Sequence, residues 1–259
     1  MELTAAMRTA GATREFTDRP VSDEVVFGIL DVARFARSGG SRPVWRVIVV
    51  KDPQRRRRLR DLFRTGSREY QALKESGLVA WAPITDRERE ADVLARASQL
   101  PAGDFAEHLD EVPVLLIVLA DLRELAAMDR DNGRYTFVGG ATVYPFAWNI
   151  MLAARDQGLV GVLTTLFSRT EPEVRETLGI PAEFSIAAAI ALGHPVAEPA
   201  EPARAEVEQF TSVDELFGPA FTIESARTRL GPTPGKDRTD DGTQGSDRGR
   251  RQAARPQRH

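Results

Sequence analysis

The sequence predicts an α/β or α+β domain, in which helices and strands alternate along the chain. With 259 residues, of which 42% are hydrophobic, the chain is long enough to bury one large core. Segments with helical periodicity alternate with four short apolar runs. Two of these runs, residues 47–50 and 114–119, do not alternate with polar residues, which is typical of a sheet covered by helices on both faces.

The predicted helices are marked by capping residues. Ser22 precedes Asp23 and Glu24 in a first turn, and apolar residues follow at helical spacing. A long apolar segment, residues 141–157, ends before Gly158 and predicts a helix buried on several sides. We expect the other helices to begin at or beside Asp52, Thr85, Thr170 and Ser212.

The predicted strands are short apolar runs bounded by turn residues. They cover residues 45–51, 112–120, 159–166 and 184–192. Four such runs are enough for one sheet, which predicts a single core domain.

Composition excludes several classes of site. The chain has no cysteine and three histidines, so disulfides, thiolate zinc sites, iron–sulfur clusters and cysteine nucleophiles are excluded. The sequence has no P-loop, no G-x-S-x-G motif and no H-E-x-x-H motif. Redox chemistry in this chain would therefore need a bound cofactor.

The two ends of the chain bear on targeting and binding. The N-terminus lacks a basic segment followed by an apolar run, so no secretion signal is indicated. The longest apolar run, residues 112–120, is too short for a membrane span. These observations predict a cytoplasmic protein without a membrane partner. Residues 227–259 hold nine basic and four acidic residues and predict a disordered basic tail after a domain of residues 1–226.

The arginine run 55–58 is interpreted as a solvated helix face, and no nucleic-acid partner is expected.

Six segments, taken in order, suggest a ligand-binding site. A basic-aromatic stretch at Arg14-Glu15-Phe16 is followed by the small-residue loop 38–41, which leads to Trp45. Small residues and glycine in such a loop expose backbone N–H groups to a ligand. The remaining segments are 149–154 (NIMLAA), 158–161 (GLVG), 178–181 (LGIP) and 191–195 (ALGHP).

This order of segments resembles the nitroreductase family of flavin-dependent oxidoreductases, over most of residues 6–217. The resemblance implies an α+β, three-layer fold with a central mixed, mainly antiparallel sheet flanked by helices. It also implies an intertwined homodimer with FMN in two sites at the interface. In that reading NAD(P)H reduces the flavin, and a small-molecule acceptor such as a nitroaromatic or a quinone reoxidises it.

The resemblance also assigns roles to individual residues. Arg14 and Arg204 would bind the flavin phosphate, because a guanidinium is always charged and offers several donors. The loop residues Ser38, Gly39 and Ser41 would contact the flavin bound by the neighbouring subunit. Thr164 and Thr165 would offer backbone N–H groups near the pyrimidine edge and N5 of the ring.

The sequence departs from the family pattern at expected flavin contacts. Ala10, Gly11 and Ala12 replace two basic residues and a serine, and Pro43 replaces a glutamine. Arg8, one turn earlier, is a candidate to supply the missing phosphate contact. The departures leave two alternatives open beside the oxidoreductase: a flavin-binding or flavin-storage protein with little turnover, and an enzyme of the same fold with another flavin reaction.

Overall fold

The computed structural model describes residues 1–224. Residues 1–202 form one compact unit, and a second unit begins at Ala203. The predicted tail, residues 227–259, lies outside the described residues. The α-helices of the first unit are α1 (Leu3–Thr9), α2 (Asp23–Ala33), α3 (Pro53–Glu75), α4 (Arg87–Leu94), α5 (Asp104–Glu107), α6 (Gly140–Asp156) and α7 (Glu171–Leu178). Its short 3₁₀ helices are Gly39–Ser41, Ala97–Gln99, Leu109–Glu111 and Leu166–Thr170.

One four-stranded sheet organises the first unit. Its strands are β1 (Trp45–Val49), β2 (Val114–Asp121), β3 (Val160–Thr164) and β4 (Phe184–Gly193). The spatial order is β1-β2-β4-β3, and neighbouring strands are antiparallel. Every residue of β2 is buried, which confirms the prediction that helices cover both faces of the sheet.

Two apolar clusters lie on opposite faces of the sheet. On one face, α2 and α6 pack against the strands, and the Trp45 and Phe146 rings stack with centroids 4.6 Å apart. On the other face, α3 and α7 pack with Leu59, Phe63 and Phe167 in the interior. The three layers confirm the predicted α+β architecture.

Helix capping follows the sequence signals closely. The Ser22 and Asp52 side chains accept hydrogen bonds from Val25 N–H (3.4 Å) and Arg55 N–H (2.8 Å), as predicted. The cap of α4 is Asp86 rather than Thr85, because the Asp86 carboxylate accepts the Arg89 N–H at 3.0 Å.

The second unit corrects one prediction. The sequence predicted a helix from Ser212, but the structure has a short helix earlier, α8 (Val207–Phe210), and Ser212 forms an isolated bridge with Ala220. A turn closes this bridge, with Val213 N–H donating to Pro219 O at 2.9 Å and Asp214 at a positive φ of 67°. A helix cannot pass through a residue with that backbone conformation.

Within residues 1–224, no helix combines the length and the apolar character that a membrane span requires.

Candidate functional site

The N-terminal segment, residues 12–17, runs along one end of the sheet. Thr13 N–H donates to Gly161 O at 2.8 Å, and Thr17 N–H donates to His194 O at 3.0 Å. The segment therefore crosses from the start of β3 to the residue after β4. Isolated bridges at Ala12–Gly161 and Phe16–Pro195 mark the same two contacts.

Two buried glycines allow close packing at this end of the sheet. A Cβ at Gly161 would lie 2.3 Å from the carbonyl oxygen of Ala191 on the neighbouring strand β4, and a Cβ at Gly193 would lie 2.8 Å from the Phe16 ring of the N-terminal segment. Only a residue without a side chain permits the backbone and the ring to come so near. The G-x-x-G and A-L-G segments of the sequence thus have a steric role beside the site.

A pocket of about 700 Å³ opens next to the N-terminal segment, and we call it the sheet-edge pocket. One wall comes from residues between 14 and 21, including Arg14 and Phe16. The other wall comes from Arg56 of α3 and from the segment around α5 that leads into β2, with Phe105 and His108. Its size and its mixture of aromatic and charged side chains suit a small-molecule ligand.

Charged groups on the second wall differ in their exposure to solvent. The Arg56 guanidinium donates to the carbonyl of Val112, and burial lowers the pKa of Arg56, an effect that Asp110 partly offsets. His108 lies 3.6 Å from the Asp104 carboxylate and 3.3 Å from the Glu111 carboxylate. Arg56 is therefore partly desolvated, whereas the His108 cluster faces solvent, with its side chain 55% exposed.

Two polar atoms on the pocket-lining residues have unused hydrogen-bonding capacity. Thr17 Oγ1 and Arg56 Nε are buried and have no hydrogen-bond partner within the described part of the chain. Buried polar groups are nearly always paired in folded proteins, so such groups call for a ligand or a structural explanation. Both atoms have almost no accessible surface, so a ligand in the pocket does not reach them. An accessible donor that the pocket offers to an anionic group such as a flavin phosphate is the exposed side chain of Arg14, beside the carboxylates of Glu15 and Asp18.

The predicted loop, Ser38 to Ser41, lies elsewhere on the same chain. Its Gly39 is close to the start of α6, where an added Cβ would lie 3.7 Å from Thr142 Oγ1. Ser38 is half-buried, while Gly39 and Ser41 are exposed. None of the three lines the sheet-edge pocket. Their expected contact with a flavin held by a neighbouring subunit stays a prediction.

The other predicted residues are spread along β3 and into the second unit. Thr164 lies three residues beyond Gly161 on β3, about 10 Å away at the usual strand rise. Its hydroxyl accepts a hydrogen bond from Leu166 N–H at 3.4 Å, and the neighbouring Thr165 is exposed. Arg204, in the second unit, is exposed and donates to its neighbour Ala203 O at 3.2 Å. Of the predicted set, Arg14 alone lines the sheet-edge pocket.

The model of the nitroreductase family matches residues 8–194. The chain belongs to the nitroreductase family. The match spans the N-terminal segment, both sheet faces and the end of β4, so it covers every element around the sheet-edge pocket.

Individual nitroreductase relatives are distant. Iodotyrosine deiodinase 1 from Rattus norvegicus is 27% identical over 183 residues, which is 70% of this chain, and the chain spans 58% of that relative's length. Nitrobenzene nitroreductase from Ectopseudomonas oleovorans is 27% identical over 72% of this chain and 84% of its own. The solved structure of the NADPH:FMN oxidoreductase from Vibrio harveyi, complexed with NAD⁺, has a TM-score of 0.55 at 17% identity and covers 87% of this chain and 82% of that chain. At 17% identity, the likeness to the Vibrio harveyi structure shows a shared fold.

Sequence reasoning did not place Thr17 and Arg56 beside a pocket in this nitroreductase-family chain. Arg56 stands in the run 55–58, for which the sequence predicts a solvated face. A usable signal was present, because Arg56 precedes Leu59 and Phe63 by three and seven residues, the spacing of one helix face. Both of those residues are buried, so Arg56 begins the inward-facing stripe of α3. Thr17 carried no comparable signal.

Proposed function

We propose that this chain is an FMN-dependent oxidoreductase that takes hydride from NAD(P)H and passes electrons to a small oxidised acceptor. The observation that carries the proposal is the match of the nitroreductase family model to residues 8–194, and a pocket of about 700 Å³ lined by Arg14, for which the resemblance predicts a phosphate contact, supports it. When bound, the flavin would supply the redox chemistry that a chain without cysteine lacks. The residues of the chain would bind it, orient it and limit access of water.

The residue roles in this proposal follow the sequence prediction. Arg14 and Arg204 would bind the phosphate, and Thr164 and Thr165 would lie along the ring. Arg14 has the best support among these, because it belongs to the pocket and the hydrogen bond of its neighbour Thr13 holds its backbone in place. Backbone N–H groups beside the ring would stabilise negative charge on the reduced flavin.

A homodimer is part of the same proposal. α1, α2 and α6 line a groove of about 390 Å³, and exposed apolar side chains lie on or next to these helices. Phe27 and Phe35 are more than 70% exposed, and Trp148 is 41% exposed. Exposed apolar surface of this kind is typical of protein–protein interfaces. A second copy on this surface would carry the loop 38–41, which follows α2, towards the flavin of its partner.

The acceptor is proposed as a nitroaromatic or a quinone, with an iodinated tyrosine as a further candidate. Nitrobenzene and iodotyrosine appear in the names of the two relatives above. A flavin-storage protein is the competing proposal, and the small side chains of Ala10, Gly11 and Ala12 favour it.

The deciding experiment begins with the visible spectrum of the purified full-length protein and identification of the chromophore that acid releases. We expect FMN, and we expect anaerobic NADH or NADPH to bleach its absorbance. Bleaching followed by recovery on addition of nitrobenzene or a quinone supports the oxidoreductase. Persistent oxidised colour supports storage, and a colourless protein that does not take up FMN refutes both proposals.

The dimer is tested separately by light scattering during gel filtration. We expect a mass of twice the 28.5 kDa chain and a single chain for the Phe27→Glu variant. The matched variant Val79→Glu changes another exposed apolar residue, remote from the groove-lining helices in sequence, and should stay dimeric. A monomeric wild-type protein refutes the proposed interface.

A further inference from the structure

The turn that follows β3 is packed closely against α3. It is the short 3₁₀ helix Leu166–Thr170, which directly follows Thr164 and Thr165. Gly66 of α3 is buried, and a Cβ at this position would lie 2.9 Å from the backbone oxygen of Leu166. Even close contacts between carbon and oxygen have distances of about 3.3–3.6 Å, so a side chain at residue 66 would push the turn away from α3.

A charged contact and an aromatic contact hold the same turn further along. Arg169 Nε donates to the Glu69 carboxylate of α3 at 2.6 Å, and the Arg169 guanidinium lies 5.1 Å from the centre of the Trp81 ring. The buried Phe167 ring meets the Phe63 ring of α3 edge to face, with centroids 5.3 Å apart. The position of the turn is therefore set by α3 as well as by the strand that precedes it.

The end of β3 presents a backbone N–H group on an open edge. β3 is an edge strand of the sheet, and Gly161 O accepts the Thr13 N–H on the side away from β4. Successive residues of an antiparallel strand direct their N–H and C=O groups to opposite sides, so Thr165 N–H faces the same way as the backbone of Gly161. Thr164 N–H faces β4 instead. Of the two threonines, Thr165 is the one that can offer its N–H to a ligand.

We propose that Gly66 and Glu69 are positioning residues for flavin reduction, because they hold the 166–170 turn against α3 and so keep the Thr165 N–H directed at the flavin ring. The inference rests on the proposed function, which places Thr165 beside the ring. Neither α3 residue touches the flavin, and each acts through the turn. A donor directed at the ring stabilises the negative charge of reduced flavin, so displacement of the turn should make bound FMN harder to reduce.

The first test is the reduction potential of FMN bound to full-length Gly66→Ala, measured anaerobically against a reference dye. The added methyl group should weaken the binding of reduced FMN relative to oxidised FMN about tenfold, because a hydrogen bond to a charged group is lengthened or lost. A tenfold change lowers the potential of a two-electron couple by about 30 mV. Alanine also favours the helix, which offsets part of the cost of overpacking, so the flavin-free variant should remain folded in a melting experiment.

The matched control is Thr65→Ala, which changes the exposed neighbour of Gly66 on α3. This variant does not alter the contact with the turn, so its potential should equal that of the wild type.

A second variant separates positioning from a direct effect of charge. Glu69→Met removes the partner of Arg169 without adding bulk, and Glu69 is partly exposed, so the variant should fold. Loss of a negative charge would by itself favour the more negative reduced flavin and raise the potential. Release of the turn should lower it. We expect a lower potential, and the sign of the change decides between the two effects.

The outcomes also separate this inference from the proposed function. The inference requires a lower potential in both variants and no change in Thr65→Ala. An unchanged or raised potential in either variant overturns it, and Glu69→Met decides alone where Gly66→Ala does not fold. FMN that binds to the wild type and is reduced by NAD(P)H then leaves the proposed function in place. A wild-type protein that binds no FMN overturns both.

Discussion

The contact between Gly193 and Phe16 provides a direct test of how the N-terminal segment is held. A Cβ at Gly193 would lie 2.8 Å from two atoms of the Phe16 ring and 2.9 Å from its Cβ. Carbon atoms pack at about 3.5–4.0 Å, so Phe16 would have to retreat by about 1 Å. Phe16 belongs to the wall of the sheet-edge pocket, so Gly193→Ala should disturb both stability and flavin binding.

The expected cost follows from overpacking. An added methyl group in a packed site destabilises by about 1–3 kcal/mol, and each kcal/mol lowers Tm by about 2–4 °C in a domain of this size. Urea denaturation measures the loss in the flavin-free protein, and acid release of the flavin measures its occupancy. The double variant Gly193→Ala/Phe16→Leu should recover part of the loss, because the smaller side chain makes room.

Gly11→Ala is the matched control for this experiment. Gly11 belongs to the same N-terminal region, has no atom within 4 Å of an added Cβ and does not adopt a positive φ. The control should be neutral or stabilising by about 0.4–1 kcal/mol. A Gly193→Ala protein that melts like wild type and retains its flavin would refute the steric argument.

Three further predictions concern stability and the cofactor. The Arg123 guanidinium, bound to the Asp121 carboxylate at 2.7 Å, lowers the pKa of Asp121 from 3.8 to about 2. This ion pair should therefore stabilise the fold above about pH 4, and its contribution should be lost as the pH falls towards 2. Denaturation curves measured across this pH range should show the loss in the wild type and not in Asp121→Asn. Arg204→Ala should lower flavin occupancy, as measured by absorbance after acid release, and unchanged occupancy would count against the phosphate role of Arg204. Leu59→Ala should destabilise by about 2–5 kcal/mol in urea denaturation, because Leu59, on the inward face of α3, is 0% exposed. A loss below about 1 kcal/mol would contradict the described packing.

The sequence predicted the elements of the core domain well, because local signals decide them. The polar cap at Ser22 and the cap at Asp52 define the starts of α2 and α3, and the fully apolar run of β2 predicts burial on both faces. The prediction of a helix from Ser212 was wrong. There a tertiary turn, with Val213 paired to Pro219, outweighed a local capping signal.

The candidate site was harder to predict from the sequence, because its residues lie far apart along the chain. Arg14 was predicted from its motif, and it does line the pocket. Arg56 and Thr17 belong to segments with no shared motif, and only the packing of α3 and the N-terminal segment around the sheet end brings them to one pocket. Their unpaired atoms are visible only when every neighbour is known.

By itself, the sequence determined the order of elements and the two-sided burial of the sheet, and its lack of cysteine means that any redox chemistry would require a bound cofactor. These properties follow from periodicity, capping and composition, which act over a few residues or over the chain as a whole. The tertiary structure decided which side chains share the sheet-edge pocket and that Gly193 allows Phe16 of the N-terminal segment to approach the sheet. The reason is physical: steric fit and hydrogen-bond satisfaction depend on atoms that are distant in the chain and close in space.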